Sequence, residues 1–574
     1  VNGEERRQLL FLLLIAFVVL AAGLGLRAPW PPDEPRFALI ARDMVEHGQW
    51  LIPRVGGVLY PDKPPLFFWT VALFYAVTGS IDVALLLPGL LAGLVVTFLV
   101  ADLGRWLWGA ETGTWCAATL LATVQFPLQM RGGQIDALLC LWTTFGLYAF
   151  LRHLLLGPDW RWYAAGGAAA GLGIITKGVG FLPYLVFVPM LTAARGGWSY
   201  RGAGWRDVRW LLAPLATLLV VAAWLVPMLV VTGIADDPSY AAYRDNILFH
   251  QTVTRYADAW GHIKPPWYLL TNAAAWLWLP VTLLLPWLVP AWRRDIAARH
   301  LPTLLIGGWL LLVLLFFSLS DGKRAVYIFP AAPAMALLAG RHAKALIGQR
   351  VPGVIVRAWP VALALLLVVL GGGLLLDPGQ ALRWVSTADV AFSAAMAVLL
   401  TGIAMLVAAS ARGRRGSLRG VAAPLVVMWV GLGVFLAPVL DRDRSGRMLM
   451  QRVEQLLPAQ ARLGLIDWPE QFLLQAARPV VHFGFRRDLD EELADGEAWL
   501  TRGRERVLLM PDRLAAPCFD PGGVTFVARA HRRTWVLADA TALVADCVPA
   551  TTVPIEVVHY VPTGSAKDLA RSAL

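Results

Sequence analysis

From residue 9 to residue 440 the chain alternates between long apolar runs and short polar joins. The runs are rich in Leu, Val and Ala. The longer ones reach the roughly 20 residues that a helix needs to cross about 30 Å of hydrocarbon. A segment in hydrocarbon must satisfy its own backbone polar groups, so these runs predict membrane-spanning helices. The first, Leu9 to Leu26, follows Arg6 and Arg7 and lacks a small-x-small cleavage site before Arg27, so a retained span is expected. Further runs lie at 82–103, 113–128, 134–155, 162–176, 178–194, 210–232, 273–292, 302–319, 325–340, 358–376, 387–410 and 421–440, for an expected total of 13 spans. The stretch 66–79 is apolar but short and follows Pro64-Pro65. It is expected at the membrane interface and not across it.

After residue 440 the pattern changes. Arg478-Pro-Val-Val-His-Phe-Gly-Phe, Arg506-Val-Leu-Leu-Met and Thr534-Trp-Val-Leu read as short strands bounded by Gly, Pro and Asp. The expected architecture is an all-α polytopic membrane unit over 1–440, with long loops 27–81 and 233–272. A small α/β domain over 441–574 stands outside the membrane. No internal repeat is evident, so the inverted-repeat pattern of transporters is missing.

Composition agrees with this division. The chain is 58% hydrophobic and 16% charged, whereas soluble domains are nearer half apolar and a quarter charged. The net charge of +11 suggests nucleic acid in a soluble protein. Here the basic residues sit in short joins: Arg195 to Arg209, Arg293 to Arg299, Arg341 to Arg357 and Arg412 to Arg419. With 13 spans these joins share one side with Arg6 and Arg7, and the inside-positive bias makes that side cytoplasmic. Nucleic acid is therefore not an expected partner; membrane lipids are. The long loops and the tail fall on the opposite side. Cys116 and Cys140 lie in apolar runs, whereas Cys518 and Cys547 lie in the tail, where an oxidising compartment permits a disulfide.

The candidate chemistry crowds the outer side. Trp30-Pro-Pro-Asp-Glu-Pro-Arg-Phe places the adjacent carboxylates Asp33 and Glu34 directly after the first span. Phe37, Ile40, Met44 and Val45 repeat at helical spacing, so a helix along the membrane is expected from Arg36 to His47. Asp33 is either the cap of that helix or an acidic catalytic group. Tyr60-Pro-Asp-Lys-Pro-Pro holds Lys63 between prolines, either as a snorkelling lysine or as a phosphate ligand. In Arg131-Gly-Gly-Gln-Ile-Asp136, the acid stands one turn into a span, where it must pair, for example with Arg131, or work. Lys177, in Thr176-Lys177-Gly178, is either a turn residue or faces the same site. The second loop offers Arg255, His262 and Lys264 among aromatic residues, and Lys323, Arg324 and Tyr327 follow the 302–319 run. Carboxylates, cations and aromatic residues at the mouth of a membrane bundle suit a reaction in which a phosphate leaves from a lipid-linked substrate.

Asp33-Glu-Pro-Arg36, Tyr60-Pro-Asp-Lys-Pro-Pro65, Arg131 to Asp136, Gly171-Leu-Gly-Ile-Ile-Thr-Lys-Gly178 and Ser318 to Pro330 resemble, in that order, the bacterial aminoarabinose transferases. More broadly they resemble the protein O-mannosyltransferases, integral-membrane glycosyltransferases of the GT-C type. The resemblance implies an inverting enzyme of the bacterial inner membrane with its site and tail in the periplasm. Its implied donor is 4-amino-4-deoxy-L-arabinose on undecaprenyl phosphate, and its implied acceptor is a lipid A phosphate. It also implies catalytic roles for Asp33 and Asp136, with Glu34 beside them. Lys63, Arg36, Tyr60, Arg255, His262, Lys323, Arg324 and Tyr327 are the implied substrate-binding residues. The chain departs from the family at Leu86-Leu87-Pro88, Phe37 and Asp62, where Arg-Leu-Pro, Tyr and Glu are usual. Another sugar, a protein or other envelope-glycan acceptor, or transport of a lipid-linked sugar are the alternatives. No cofactor is called for. Asp33, Glu34 and His262 are open to a divalent ion, but no ligand spacing demands one.

Overall fold

The computed structural model describes residues 3–198, 204, 206–249, 263–410, 419–503, 505–544 and 557–562. Among the described residues seven helices are long and apolar enough to cross a membrane: Ile81–Trp108, Ile135–Leu155, Val208–Ile234, Leu301–Leu319, Arg350–Leu376, Ala388–Ser410 and Gly420–Arg444. The count rises to 8 if Leu269–Leu277 and Val281–Ala297, bent by 102° at their junction, form one span. The expected 13 is not reached by this measure. The shortfall lies in helices that stand where runs were expected but are short or polar. Gly3–Ala21 opens with Glu4, Glu5, Arg6 and Arg7, and Ala110–Ala122 stops after 13 residues. Short elements still pack closely where glycine permits. A Cβ on Gly340 would stand 2.3 Å from the Cys116 Cα, so helices Ala110–Ala122 and Ala332–Gly348 meet backbone to backbone.

The outer loop 27–81 folds as expected in outline. The helix Glu34–His47 buries Phe37, Ile40 and Met44, as the spacing predicts. A hairpin of β1 (Arg54–Val55) and β2 (Val58–Leu59) follows, then the short apolar helix Leu66–Thr78.

The tail is a mixed α/β structure. Its strands are β3 (Arg462–Leu465), β4 (Val480–His482), β5 (Arg506–Pro511), β6 (Thr525–Ala530), β7 (Arg533–Asp539) and β8 (Val558–Tyr560), in the order β6-β7-β5-β3-β4-β8. β3 runs parallel to β4 and β5, and the outer pairings are antiparallel. Side chains alternate between faces along each strand. Leu509 and Leu537 share one core with Phe37, Phe67 and Phe68 of the first loop, whereas Leu508, Met510 and Val536 pack with Trp499 on the other face. The tail and the first loop thus bury each other's apolar surface. Cys518 is disulfide-bonded; Cys547, its expected partner, lies outside the described residues.

Polar contacts tie the same two regions. Arg42 donates to the carbonyls of Leu474 (2.9 Å) and Leu473 (3.1 Å) and to the Tyr560 hydroxyl (2.6 Å). The Tyr560 hydroxyl donates to Asp43 at 3.0 Å, and His482 Nε2 donates to the Gly56 carbonyl at 2.8 Å. Burial pushes the Asp43 carboxyl up to about 7, against the opposing pull of Arg42 and Tyr560. Its unfolded value is about 4. The folded state therefore keeps a proton that the unfolded state has lost between those values. Stability from this group is complete at low pH, falls as pH rises through the folded value, and is level above it. Burial raises Glu492 and Glu497 to about 7 as well, so they add to the same slope. Asp43→Asn is expected to flatten part of the decline in unfolding temperature between about pH 4 and pH 7. An unchanged slope in detergent-solubilised protein would assign the decline elsewhere.

Candidate active site

Asp33 occupies the cap position of Glu34–His47, yet its carboxylate makes no capping hydrogen bond. With Pro35 in the first turn one backbone donor is already absent, which lessens the need for a cap. The carboxylate instead stands between two guanidinium groups. Arg36 Nη1 is 3.6 Å from Oδ1, and Arg324 Nη2 is 3.5 Å from Oδ2. Both distances exceed those of good hydrogen bonds, so the oxygens keep acceptor capacity beside two positive charges.

Arg36 is held from the far side. Its Nε and Nη2 each lie 2.7 Å from Glu470 Oε1, and its guanidinium carbon is 5.8 Å from the Phe485 ring centre. Burial works against its charge, but Glu470 and Tyr60 outweigh burial and hold its pKa above the ordinary value. Burial also pushes the Tyr60 hydroxyl up, so it remains protonated.

Asp136 does not pair with Arg131. Its partner is Lys177, so this lysine is more than a turn residue. Arg131 donates to the Ala22 carbonyl at 2.7 Å and stacks 5.2 Å over Trp429. The Lys177 ammonium also lies 5.3 Å from the Tyr327 ring centre. Arg324 stands directly before one short helical turn, Ala325–Ala331, and Tyr327 lies within it. That turn joins the Asp33–Arg36–Arg324 cluster to the Asp136–Lys177 pair.

Other expected residues are placed differently. Glu34 does not present a free carboxylate. It accepts from both terminal nitrogens of Arg27, from the Trp30 amide (2.9 Å) and from the Gly133 amide (2.8 Å). These donors occupy its acceptor sites, so Glu34 serves as a latch between the loop and Gly133. Lys323, 3% exposed, donates to the Lys264 carbonyl at 2.8 Å and thereby ties the end of the second long loop to the bundle. Lys63 donates to the Asp62 carbonyl at 2.9 Å, and Asp62 pairs with Arg486 at 2.8 Å. Arg255 and His262 lie outside the described residues. Among the described residues no group of three or more His, Cys, Asp or Glu is arranged to hold a metal ion. Glu470 and Arg486 were not expected at the site. They come from the tail and carry no local motif.

Residues 62–230 match the family model described as dolichyl-phosphate-mannose-protein mannosyltransferase. In sequence the chain is 32% identical over 347 residues to the undecaprenyl phosphate-alpha-4-amino-4-deoxy-L-arabinose arabinosyl transferase of Pseudomonas aeruginosa, covering 58% of this chain and 60% of the relative. It is 29% identical over 357 residues to a second such transferase, from Pseudomonas fluorescens, covering 60% of each. The match thus spans about 60% of the length of these curated relatives. The crystal structure of ArnT from Cupriavidus metallidurans bound to undecaprenyl phosphate matches with a TM-score of 0.74 at 24% identity, covering 93% of this chain and 98% of that one. The apo structure of the same protein matches with a TM-score of 0.75. The resemblance carried by the five motifs is borne out, and the chain has an ArnT-like fold: a helical multi-span membrane protein with a C-terminal α/β region.

The latch generates a stability prediction. Arg27 and Glu34 side chains are 11% and 7% exposed, and breaking such a buried pair typically costs about 3 kcal/mol. Glu34→Gln is expected to lower the unfolding temperature clearly in detergent, whereas Asp33→Asn, at a carboxylate without a close partner, leaves it near wild type. Equal effects of the two changes would contradict the assignment of Glu34 as the latch.

Proposed function

We propose that this protein, similar in sequence and fold to the aminoarabinose transferases, is an inverting glycosyltransferase of the bacterial inner membrane. It takes a sugar, 4-amino-4-deoxy-L-arabinose, from undecaprenyl phosphate and transfers it to a lipid A phosphate at the periplasmic face. The observation that carries this reading is Asp33: an uncapped, partly shielded carboxylate between Arg36 and Arg324, one short turn from Tyr327 and the Asp136–Lys177 pair.

The chemistry follows from charge. The bond between the sugar's anomeric carbon and the donor phosphate oxygen breaks, and a bond to an acceptor phosphate oxygen forms on the opposite face. Undecaprenyl phosphate leaves with the electron pair. Fixed cations that meet this developing charge lower the barrier without reorganising at the moment of reaction. Lys63 serves the donor phosphate, and Arg36, held by Glu470 and Tyr60, keeps the local field fixed. Arg324, whose side chain is 41% exposed, is free to meet the acceptor. An acceptor phosphate is already an anion, so Asp33 does not abstract its proton; it balances the charge of Arg36 and Arg324, and its open oxygens orient the substrate by accepting from hydroxyl or ammonium groups of the sugar. Asp136 fixes Lys177 beside the Tyr327 ring. The departures at Phe37, Asp62 and Leu86-Leu87-Pro88 favour one second reading, in which the same transfer uses another sugar or another envelope acceptor.

Asp33→Asn is expected to lower the rate of sugar transfer in reconstituted membranes by roughly 100-fold or more, the scale set by a lost catalytic or charge-positioning group. Lys63→Ala is expected to raise the donor KM with a smaller effect on kcat. Wild-type transfer by Asp33→Asn removes its catalytic role, and an unchanged donor KM removes the phosphate role of Lys63. Mass spectrometry of lipid A from cells with and without the protein identifies the product. An added mass equal to aminoarabinose is expected, and its absence alongside transfer to another acceptor selects the second reading.

A further inference from the structure

One guanidinium in the site lies between two carboxylates. Arg36 is within 2.7 Å of Glu470 and 3.6 Å of Asp33. Asp33 is on the same helical turn, whereas Glu470 is 434 residues away in sequence and belongs to the tail helix Glu470–Gln475. The Arg36 and Glu470 side chains are 13% and 14% exposed. In such a shielded setting a charge-assisted hydrogen bond is stronger than at a wet surface. Tyr60 adds to the field that favours the Arg36 charge, and Phe485, next to Arg486 in the tail, lies beside the guanidinium. The remaining nitrogen, Nη1, faces Asp33 at more than hydrogen-bond distance.

We propose that Glu470 is a positioning residue that holds Arg36 off Asp33, and that the C-terminal region thereby keeps the Asp33 carboxylate open for substrate. The inference rests on the transferase reading given above. A guanidinium deprived of Glu470 has one nearby carboxylate to turn to, Asp33, three residues before it on the same helix. Closing the 3.6 Å gap to a hydrogen bond needs only rotation of a side chain. A closed Asp33–Arg36 pair occupies an oxygen that otherwise receives the substrate, and it cancels the charge that orients it. Arg324, the other cation at Asp33, has no comparable tether in the described residues and is 41% exposed, so water screens it. The tail then has a second use besides covering the first loop: it settles which of two carboxylates owns Arg36.

The test uses full-length protein in proteoliposomes with undecaprenyl-phosphate-linked aminoarabinose and lipid A. Glu470→Gln keeps size and hydrogen-bonding capacity but removes the charge. It is expected to lower kcat on the order of 10- to 100-fold, the scale of an ångström-sized misplacement in a site, while the donor KM stays near wild type. Glu470→Asp, which keeps the charge with a shorter reach, is expected to be intermediate. The variant R36Q/E470Q is expected to be no slower than R36Q, because without Arg36 nothing closes on Asp33. A structural tie alone predicts the opposite: an unchanged kcat in E470Q with a lower unfolding temperature. Wild-type rates in both E470Q and Glu470→Asp overturn the proposal, as does additivity in the double variant. Absence of transfer by the wild-type protein sinks the transferase reading instead. In that case a cryo-electron microscopy structure of E470Q still decides this inference. Arg36 within hydrogen-bond distance of Asp33 supports it, and an unmoved Arg36 refutes it.

Discussion

The hydrogen-bonded Glu34 carboxylate is the interaction on which the candidate site depends. It accepts hydrogen bonds from Arg27 and the Trp30 amide in the loop after the first helix and from the Gly133 amide before the helix Ile135–Leu155. Two separate stretches of chain, the loop 27–34 and the segment at Gly133, are therefore bolted to one carboxylate. Asp33 is its immediate neighbour and Asp136 lies three residues beyond Gly133, so the latch fixes the backbone from which both acids project. A second carboxylate, Asp441, accepts from the Ala28 amide (2.8 Å) and the Trp30 indole (2.9 Å) and ties the same loop to the last span. Buried charges of this kind are costly unless fully paired, and here they are paired.

The constraint produces a division of labour between adjacent residues. Glu34 has no acceptor capacity left for substrate, whereas Asp33 makes no close hydrogen bond although two cations stand beside it. A carboxylate in that state is destabilised by its incomplete partnership and gains most from a ligand that completes it. The tail supports the arrangement twice over. Its sheet shares an apolar core with the first loop, and Glu470 and Arg486 reach Arg36 and Asp62. The α/β region is therefore part of the site's construction.

Much of the frame was legible in the sequence because it is written locally. The spacing of Phe37, Ile40 and Met44 specified a helix, Pro64-Pro65 marked the start of the short interfacial one, and β-branched or apolar runs marked β4, β5 and β7. Asp33 stands at the cap position its sequence context marks, but its side chain makes no capping hydrogen bond. Partners distant in sequence, by contrast, leave no local trace. Arg131 is the nearest cation to Asp136 along the chain, but helical geometry brings Lys177 to it instead. Glu34 and Lys323 have the composition of site residues, and only the folded chain shows that their polar atoms already have partners. Glu470 sits in a tail without motifs, so nothing local links it to Arg36. Among the described residues seven or eight helices are long and apolar enough to span on their own, and other runs expected to span form helices that are short or charged at one end.

The central claim is that the Asp33–Arg36–Arg324 cluster and the Asp136–Lys177 pair form a single phosphate-handling site at the membrane surface. The most direct measurement is a cryo-electron microscopy structure of the protein in nanodiscs with undecaprenyl phosphate. The account predicts phosphate density beside Asp33 and Arg324, with the Lys63 ammonium turned toward it and the prenyl chain leaving between the spans. Phosphate density away from this cluster, with Asp33 still flanked only by Arg36 and Arg324, would contradict it.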